Sequence, residues 1–373
     1  MNNKPKILII SLTYFPFIGG AEIAVQEITK RLTGDFEFEI ITCNLNGRQK
    51  KEEKIDGVKV YRIGKGKLGK FFFSWLAYRK AVKLHEKNNY KIVWSIMANR
   101  AGLAALKFKE KFPNVKYLLT LQEGDSVSHV YKRTWFWFWR YKKIYEKADH
   151  IQVISKWLES RARKFGYKKE ISVVPNGVSL SEKNQLTPFQ KKEGKIILTV
   201  SRLVEKNGLE YLIRAFKLLS NTHGNVILKI IGDGPLKSRL EKLVKELNLG
   251  ENIFLGKLDY MQTQERYKQA DVFVRPSLSE GFGNVFIEAM AAEIPVIATP
   301  VGGIPDFLID NNTGWFCEPK NPKNIAEKIQ YVLDKKNNAE VERVVANAKK
   351  MVEEKYDWNI IAKKMSEIFN KLV

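Results

Sequence analysis

The residues best placed to do chemistry lie in the second half of the chain. Arg202 and Lys206 fall four positions apart in the run Ser201-Arg202-Leu203-Val204-Glu205-Lys206-Asn207-Gly208, directly after an apolar stretch at 195–200. Two cations on one loop that opens a helix can converge on one oxyanion. A diphosphate leaving a glycosidic bond gains negative charge, and fixed cations stabilise that change. Two solvated surface charges are the alternative. The second constellation is Ser279-Glu280-Gly281-Phe282-Gly283-Asn284-Val285-Phe286-Ile287-Glu288. Gly281 and Gly283, on either side of Phe282, let backbone amides approach a ligand. A helix beginning around Asn284 and Val285 favours an anion at its start. The spacing of Glu280 and Glu288 suits hydrogen bonds to sugar and ribose hydroxyls better than acid–base partnership. Capping with both acids in water would not account for Glu288 inside the apolar stretch 285–292.

Other runs carry a weaker signal. Ile231-Gly232-Asp233-Gly234-Pro235 reads first as a tight turn, with Pro235 starting a helix. Thr299-Pro300-Val301-Gly302-Gly303-Ile304-Pro305-Asp306 reads as a second wall of the same ligand pocket. In the first half, Gly19-Gly20-Ala21-Glu22 follows the first strand and opens a helix, and Gln122-Glu123-Gly124-Asp125 follows another strand. No His/Asp cluster with metal-ligand spacing is present, and the residues ask for no cofactor.

Positioning these residues is the task of alternating strands and helices. Strands are expected at 6–12, 36–42, 58–63, 91–96, 115–121, 150–155 and 171–174. Further strands are expected at 195–201, 226–231, 252–255, 271–275, 295–299 and 315–316, with helices such as 209–220, 235–247 and 324–334 between them. That alternation implies βαβ units and parallel sheets in an α/β fold. A join near Pro175-Asn176-Gly177-Val178, followed by a polar stretch to Gly194, gives two domains, 1–178 and 179–350, which the resemblance described below makes acceptor-binding and donor-binding. The last stretch, from about 341, reads as helical, with Trp358, Ile361 and Met365 at helix spacing. Residues 351–373 are expected to pack back toward the first domain.

The order of these runs resembles that of family-four retaining glycosyltransferases. It begins with Gly19-Gly20-Ala21-Glu22 and Pro175-Asn176-Gly177-Val178. The Arg202/Lys206 loop, the 231–235 turn, Glu280 with Glu288, and Gly302-Gly303 then follow. The resemblance implies the GT-B architecture of two facing Rossmann-like domains. It implies that Arg202 and Lys206 bind the donor diphosphate without a metal, with Glu280 joining them in catalysis. Glu280 and the amides of 281–283 would hold the transferred sugar, Glu288 the ribose, and 254–257 would lie beside the base. Gly19 and Gly20 would approach the donor phosphate from the first domain, with Glu22, Gln122 and Glu123 on the acceptor side. Many relatives carry a histidine where this chain has Gln122, which can hydrogen-bond but cannot carry a proton. His129 is the nearest substitute, and an exposed position in a polar loop is the simpler reading of it. In a front-face retaining mechanism the departing phosphate oxygen can take the acceptor's proton instead. The activity implied is transfer of a hexosyl unit from a UDP- or GDP-sugar to a lipid-linked or cell-surface glycan. An epimerase or phosphorylase of the same fold, or a basic lipid- or nucleic-acid-binding protein without catalysis, are the competing readings.

Composition narrows the partners. The chain has 373 residues, 44% hydrophobic and 28% charged, which is the profile of a folded protein. Its net charge is +23, and residues 1–178 hold 35 of the Lys and Arg against 16 Asp and Glu, leaving 29 against 25 for the rest. So lopsided a charge points to an anionic partner, or to a lysine-rich surface that serves solubility. Two stretches mix aromatic and basic residues: 65–87, with Phe71, Phe72, Phe73, Trp75 and Tyr78, and 132–147, with Trp135, Phe136, Trp137, Phe138 and Trp139. Five adjacent aromatics point around a full helical turn and cannot all face one core. They suit an anionic membrane surface, with burial between domains or in a dimer as the alternative. No single-strand-binding module accompanies them, which argues against nucleic acid as the partner. No apolar run approaches the ~20 residues of a membrane span, and Cys43 and Cys317 lie far apart without a disulfide pattern. The expectation is a cytoplasmic protein held peripherally at the inner face of the cell membrane.

Overall fold

A computed structural model describes residues 4–125, 127–135, 138–180, 194–222, 225–250 and 252–373. The chain divides into two compact units, Met1–Gly177 with Trp358–Val373, and Val178–Asp357. The first unit is built on eight strands: β1 Lys6–Ile10, β2 Glu37–Cys43, β3 Glu52–Ile55, β4 Val58–Ile63, β5 Ile92–Ile96, β6 Lys116–Leu121, β7 His150–Val153 and β8 Ile171–Val173. They lie in the order β3-β4-β2-β1-β5-β6-β7-β8. Ile9 pairs with Ile40 on one side and Trp94 on the other. Every neighbouring pair is parallel except β3 and β4. Helices cover the sheet, so its central strands are buried throughout. All five residues of β5 are buried, as an apolar run rather than an alternation requires.

The second unit holds β9 Lys195–Val200, β10 Val226–Ile231, β11 Phe254–Gly256, β12 Val272–Arg275, β13 Val296–Ala298 and β14 Trp315–Phe316. Its order is β11-β10-β9-β12-β13-β14, with every pair parallel. Its core gathers Leu212, Ile213 and Phe216 of helix Leu209–Thr222 with Ile325 and Ile329 of helix Pro322–Leu333. Each expected strand run forms a strand, giving two Rossmann-like α/β units.

Two features differ from the sequence expectation. Strand β3 was not anticipated, because Glu52-Glu53-Lys54-Ile55 lacks apolar alternation. The signal for it was the turn: Asp56 and Gly57 have φ of 45° and 84° and close a two-residue hairpin onto β4. The terminal segment 351–373 is not one helix. Helix Asn338–Lys355 ends in the second unit, Asp357 bridges to Val178, and a new helix, Trp358–Leu372, belongs to the first unit. Its Phe369 ring lies 5.4 Å from Phe36 and 5.2 Å from Trp94, completing the first core. Cys43 and Cys317 are both free and buried. No helix among the described residues is long and apolar enough to cross a membrane.

Candidate active site

In the second unit, the loops leaving β9, β10, β12 and β13 are joined backbone to backbone. The Leu203 amide donates to the Asp233 carbonyl at 3.0 Å. The Lys206 carbonyl accepts from Leu278 at 2.7 Å and Ser279 at 3.3 Å, and the Gly303 amide donates to the Glu280 carbonyl at 3.1 Å. Such closeness leaves no room for side chains at two positions. A Cβ on Gly232 would fall 1.8 Å from the Ser201 oxygen, and one on Gly302 1.8 Å from the Glu280 oxygen. Both residues have positive φ, 139° and 61°. The 231–235 turn is therefore a spacer. The Gly302-Gly303 loop, expected as a pocket wall, clamps the Glu280 backbone. These contacts set the Lys206 loop directly against the Glu280 loop.

Arg202 is exposed, and its carbonyl accepts from the Asn207 amide side chain at 2.6 Å. Lys206 is half-buried in the single turn Glu205–Asn207. Glu280 is buried, and both its oxygens are engaged: Oε2 accepts from Arg275, and Oε1 from the Gly281 amide at 3.0 Å. Arg275 was not singled out from the sequence. It ends β12, is itself buried, donates to Asn207 Oδ1 at 2.8 Å, and lies over the Phe286 ring at 5.4 Å. A charged residue closing the apolar run Val272-Phe273-Val274, five positions before Glu280, was the available signal. Arg275 neutralises the buried Glu280 carboxylate, while the cations Arg202 and Lys206 stand on the neighbouring loop with Glu205 between them. The buried hydroxyls of Thr199, Ser201 and Ser277, at these same strand ends, have no hydrogen-bond partner.

Helix Asn284–Ala291 starts from Gly283. The Phe282 ring is core, 5.1 Å from Phe307 and 5.7 Å from Tyr356, so only its backbone can reach a ligand. Val285 and Asn284 form the half-buried first turn. Glu288 is half-buried one turn on, and accepts from the Tyr267 hydroxyl at 3.2 Å. Burial pushes its carboxyl up to about 7, against the smaller opposing effect of the Tyr267 hydrogen bond. β11 begins the 254–257 stretch, which ends in exposed Lys257.

In the first unit, Gly19 and Gly20 are exposed where helix Gly20–Leu32 begins, after β1. Two acceptor-side candidates are corrected. Glu22 is buried and turned back on its own helix, accepting from the Thr13 hydroxyl and the Gly19 amide. It caps the helix, and burial raises its pKa. Glu123 accepts from the Ala98 amide at 2.5 Å and the Gln122 amide at 3.1 Å, and pairs with buried Arg161 at 3.7 Å. Arg161 also donates to the carbonyls of Glu123 and Asp125, at 3.2 and 3.1 Å. This pair shapes the loop from beneath. Gln122 Oε1 accepts from the Asn176 side chain at 3.1 Å. The turn carrying Asn176 is itself fixed by a buried chain from Trp94 to Thr120 to Gln152 to the Val174 carbonyl. His129 is exposed on helix Val127–Thr134.

Comparison with known proteins gives the family. Residues 18–182 match the family described as Glycosyltransferase Family 4, and residues 181–351 match Glycosyl transferases group 1. An uncharacterized glycosyltransferase of Methanocaldococcus jannaschii is 28% identical over 98% of both chains. A capsular polysaccharide biosynthesis glycosyltransferase of Staphylococcus aureus is 30% identical over 60% of this chain and 62% of its own. Among solved structures, a sucrose-phosphate synthase from Thermosynechococcus elongatus superposes with a TM-score of 0.85 at 23% identity, covering 99% of each chain. The Anabaena protein HepE, solved with UDP and glucose, gives a TM-score of 0.79 at 18% identity over 98% of this chain and 100% of its own. With its two parallel-sheet units and these relatives, the chain belongs to the GT-B glycosyltransferases of the family-four type.

Proposed function

We propose that the protein transfers a hexosyl unit from a UDP- or GDP-sugar to a lipid-linked or cell-surface glycan, with retention of anomeric configuration. The observation that carries this is the ring of loops locked at the carboxyl ends of β9, β10, β12 and β13, which sets the loop of Arg202 and Lys206 against the loop of Glu280. Arg202 and Lys206 meet the diphosphate's charge, and no metal is asked of the donor step. Glu280, preset by Arg275, and the Gly281 and Gly283 backbone face the transferred sugar, while Glu288 accepts from the ribose hydroxyls. Gln122, set by Asn176, positions the acceptor, and the departing phosphate oxygen takes the acceptor's proton. The capsular relative and the UDP-bearing HepE structure support the choice of donor and glycan.

The experiment is a thermal-shift screen of UDP- and GDP-sugars with chelator present, followed by determination of the product's anomeric configuration. At about 100 times its dissociation constant, the right donor adds about 2.7 kcal/mol of stability. Absence of a shift with every nucleotide sugar, or a shift that the chelator abolishes, contradicts the reading. With no acceptor, slow hydrolysis supports a transferase, and an epimerised sugar nucleotide contradicts it.

A further inference from the structure

We infer that the first unit docks on an anionic bilayer through an aromatic and basic rim formed by Leu68, Phe71, Phe72 and Trp75 with Lys67, Lys70 and Arg79. The four apolar side chains are between 47% and 74% exposed, within eight residues of one another. A folded chain normally leaves large apolar groups singly in water, and a contiguous set marks a contact surface. They stand on helix Gly66–Phe71 and on the beginning of helix Phe73–Asn88, whose inward positions Phe73, Ala77 and Ala81 are already packed in the core. The outward set is therefore not core waiting for a neighbour within the unit.

Their placement is fixed by the sheet. Helix Gly66–Phe71 follows β4 at its carboxyl end, where the Gly66 amide donates to the Asn44 carbonyl, just beyond β2. Arg100 opens the helix after β5, donates Nε to the Phe71 carbonyl at 3.3 Å, and lies 5.8 Å from the Phe71 ring. The Arg79 guanidinium lies 4.7 Å from the Trp75 ring. The rim thus shares the carboxyl end of the sheet with the Gly19-Gly20 loop after β1.

Charge selects the occupant. Between residues 65 and 85 the chain has Lys65, Lys67, Lys70, Arg79, Lys80 and Lys83 and no Asp or Glu. Lys65, Lys67, Lys70 and Arg79 are exposed beside the aromatic groups. Aromatic side chains ringed by cations of one sign fit the headgroup layer of a bilayer carrying anionic lipid, where the rings enter the interface and the cations meet phosphates. A second exposed set, Tyr131, Trp135 and Trp139, adjoins Arg140 and Lys143, which lie 5.9 and 5.3 Å from the Trp139 ring. Phe136 and Trp137, and the side chain of Arg133, lie outside the described residues.

The test is co-sedimentation of the full chain with phosphatidylglycerol–phosphatidylcholine vesicles and with phosphatidylcholine alone, at low and high salt. The wild type is expected to bind the anionic vesicles, less so at high salt. Phe71→Ser/Phe72→Ser/Trp75→Ser is expected to weaken this about tenfold or more while its melting temperature is kept. Equal binding by the variant overturns the proposal. So does equal wild-type binding to both vesicle types, or wild-type binding to a DNA duplex in place of vesicles. A wild-type dimer in gel filtration that the variant loses assigns the face to self-association and overturns it too. The docking stands apart from the transferase reading. Vesicle binding by a chain that no nucleotide sugar stabilises supports the rim and removes the donor assignment.

Discussion

Glu288→Gln offers a way to separate function from stability at one atom pair. The carboxyl rises from 4.5 to about 7 on folding because burial disfavours its charge. A group whose folded pKa lies above its unfolded one gives a contribution present below about pH 4.5 and lost as pH rises through about 7. The rise from 4.5 to about 7 corresponds to at most about 3 kcal/mol by pH 8. Glutamine keeps the shape and still accepts from the Tyr267 hydroxyl, but carries no charge to bury. The variant should melt higher than wild type at pH 8 by several degrees, at roughly 2–4 °C per kcal/mol for a unit of this size. At pH 5 the gap should shrink to under about 1 kcal/mol. Donor binding should show the opposite preference. With a pKa of about 7, the wild-type carboxyl is about 90% ionised at pH 8 and about 10% at pH 6. If the charged form takes the ribose, affinity for a sugar nucleotide weakens about tenfold over that range, while the Gln variant is weaker throughout and flat. Scanning calorimetry and titration calorimetry measure the two halves. A variant no more stable than wild type at pH 8, or a wild-type affinity that is flat from pH 6 to 8, refutes the reasoning.

Other perturbations probe the remaining parts. Arg202→Ala removes an exposed cation, so kcat in a transfer assay should fall about 10²–10³-fold while the melting temperature stays within about 1 °C. Gly302→Ala places a methyl group on the Glu280 carbonyl oxygen at a positive φ, and should lower unfolding free energy by about 1–3 kcal/mol or more in denaturant titration and abolish the donor's thermal shift. Arg161→Met strands the Glu123 charge and should destabilise by about 3–5 kcal/mol, most of it recovered on adding Glu123→Gln.

The apolar runs were enough to locate the strands, because parallel strands buried on both faces need uninterrupted Val, Ile and Leu. The Asp56-Gly57 pair announced a hairpin that the polar Glu52–Ile55 strand concealed. What was hidden is side-chain direction. Flanking glycines drew attention to Phe282, yet its ring turns inward to Phe307 and Tyr356. Glu22 and Glu123 carry the right chemistry for a site but satisfy a helix end and a buried arginine 38 residues away. Arg161 gives no local sign of that partnership. The role of Arg275 is not legible locally, because it depends on Asn207 and Glu280, which only the sheet brings together.

The central claim is that nucleotide diphosphate is gripped by the loops after β9 and β12. Hydrogen–deuterium exchange with a saturating sugar nucleotide reads this directly. Amides of 201–208 and 279–288 should exchange more slowly than in the free protein. Saturated binding that leaves both segments unprotected, with slowing confined to other parts of the chain, contradicts it.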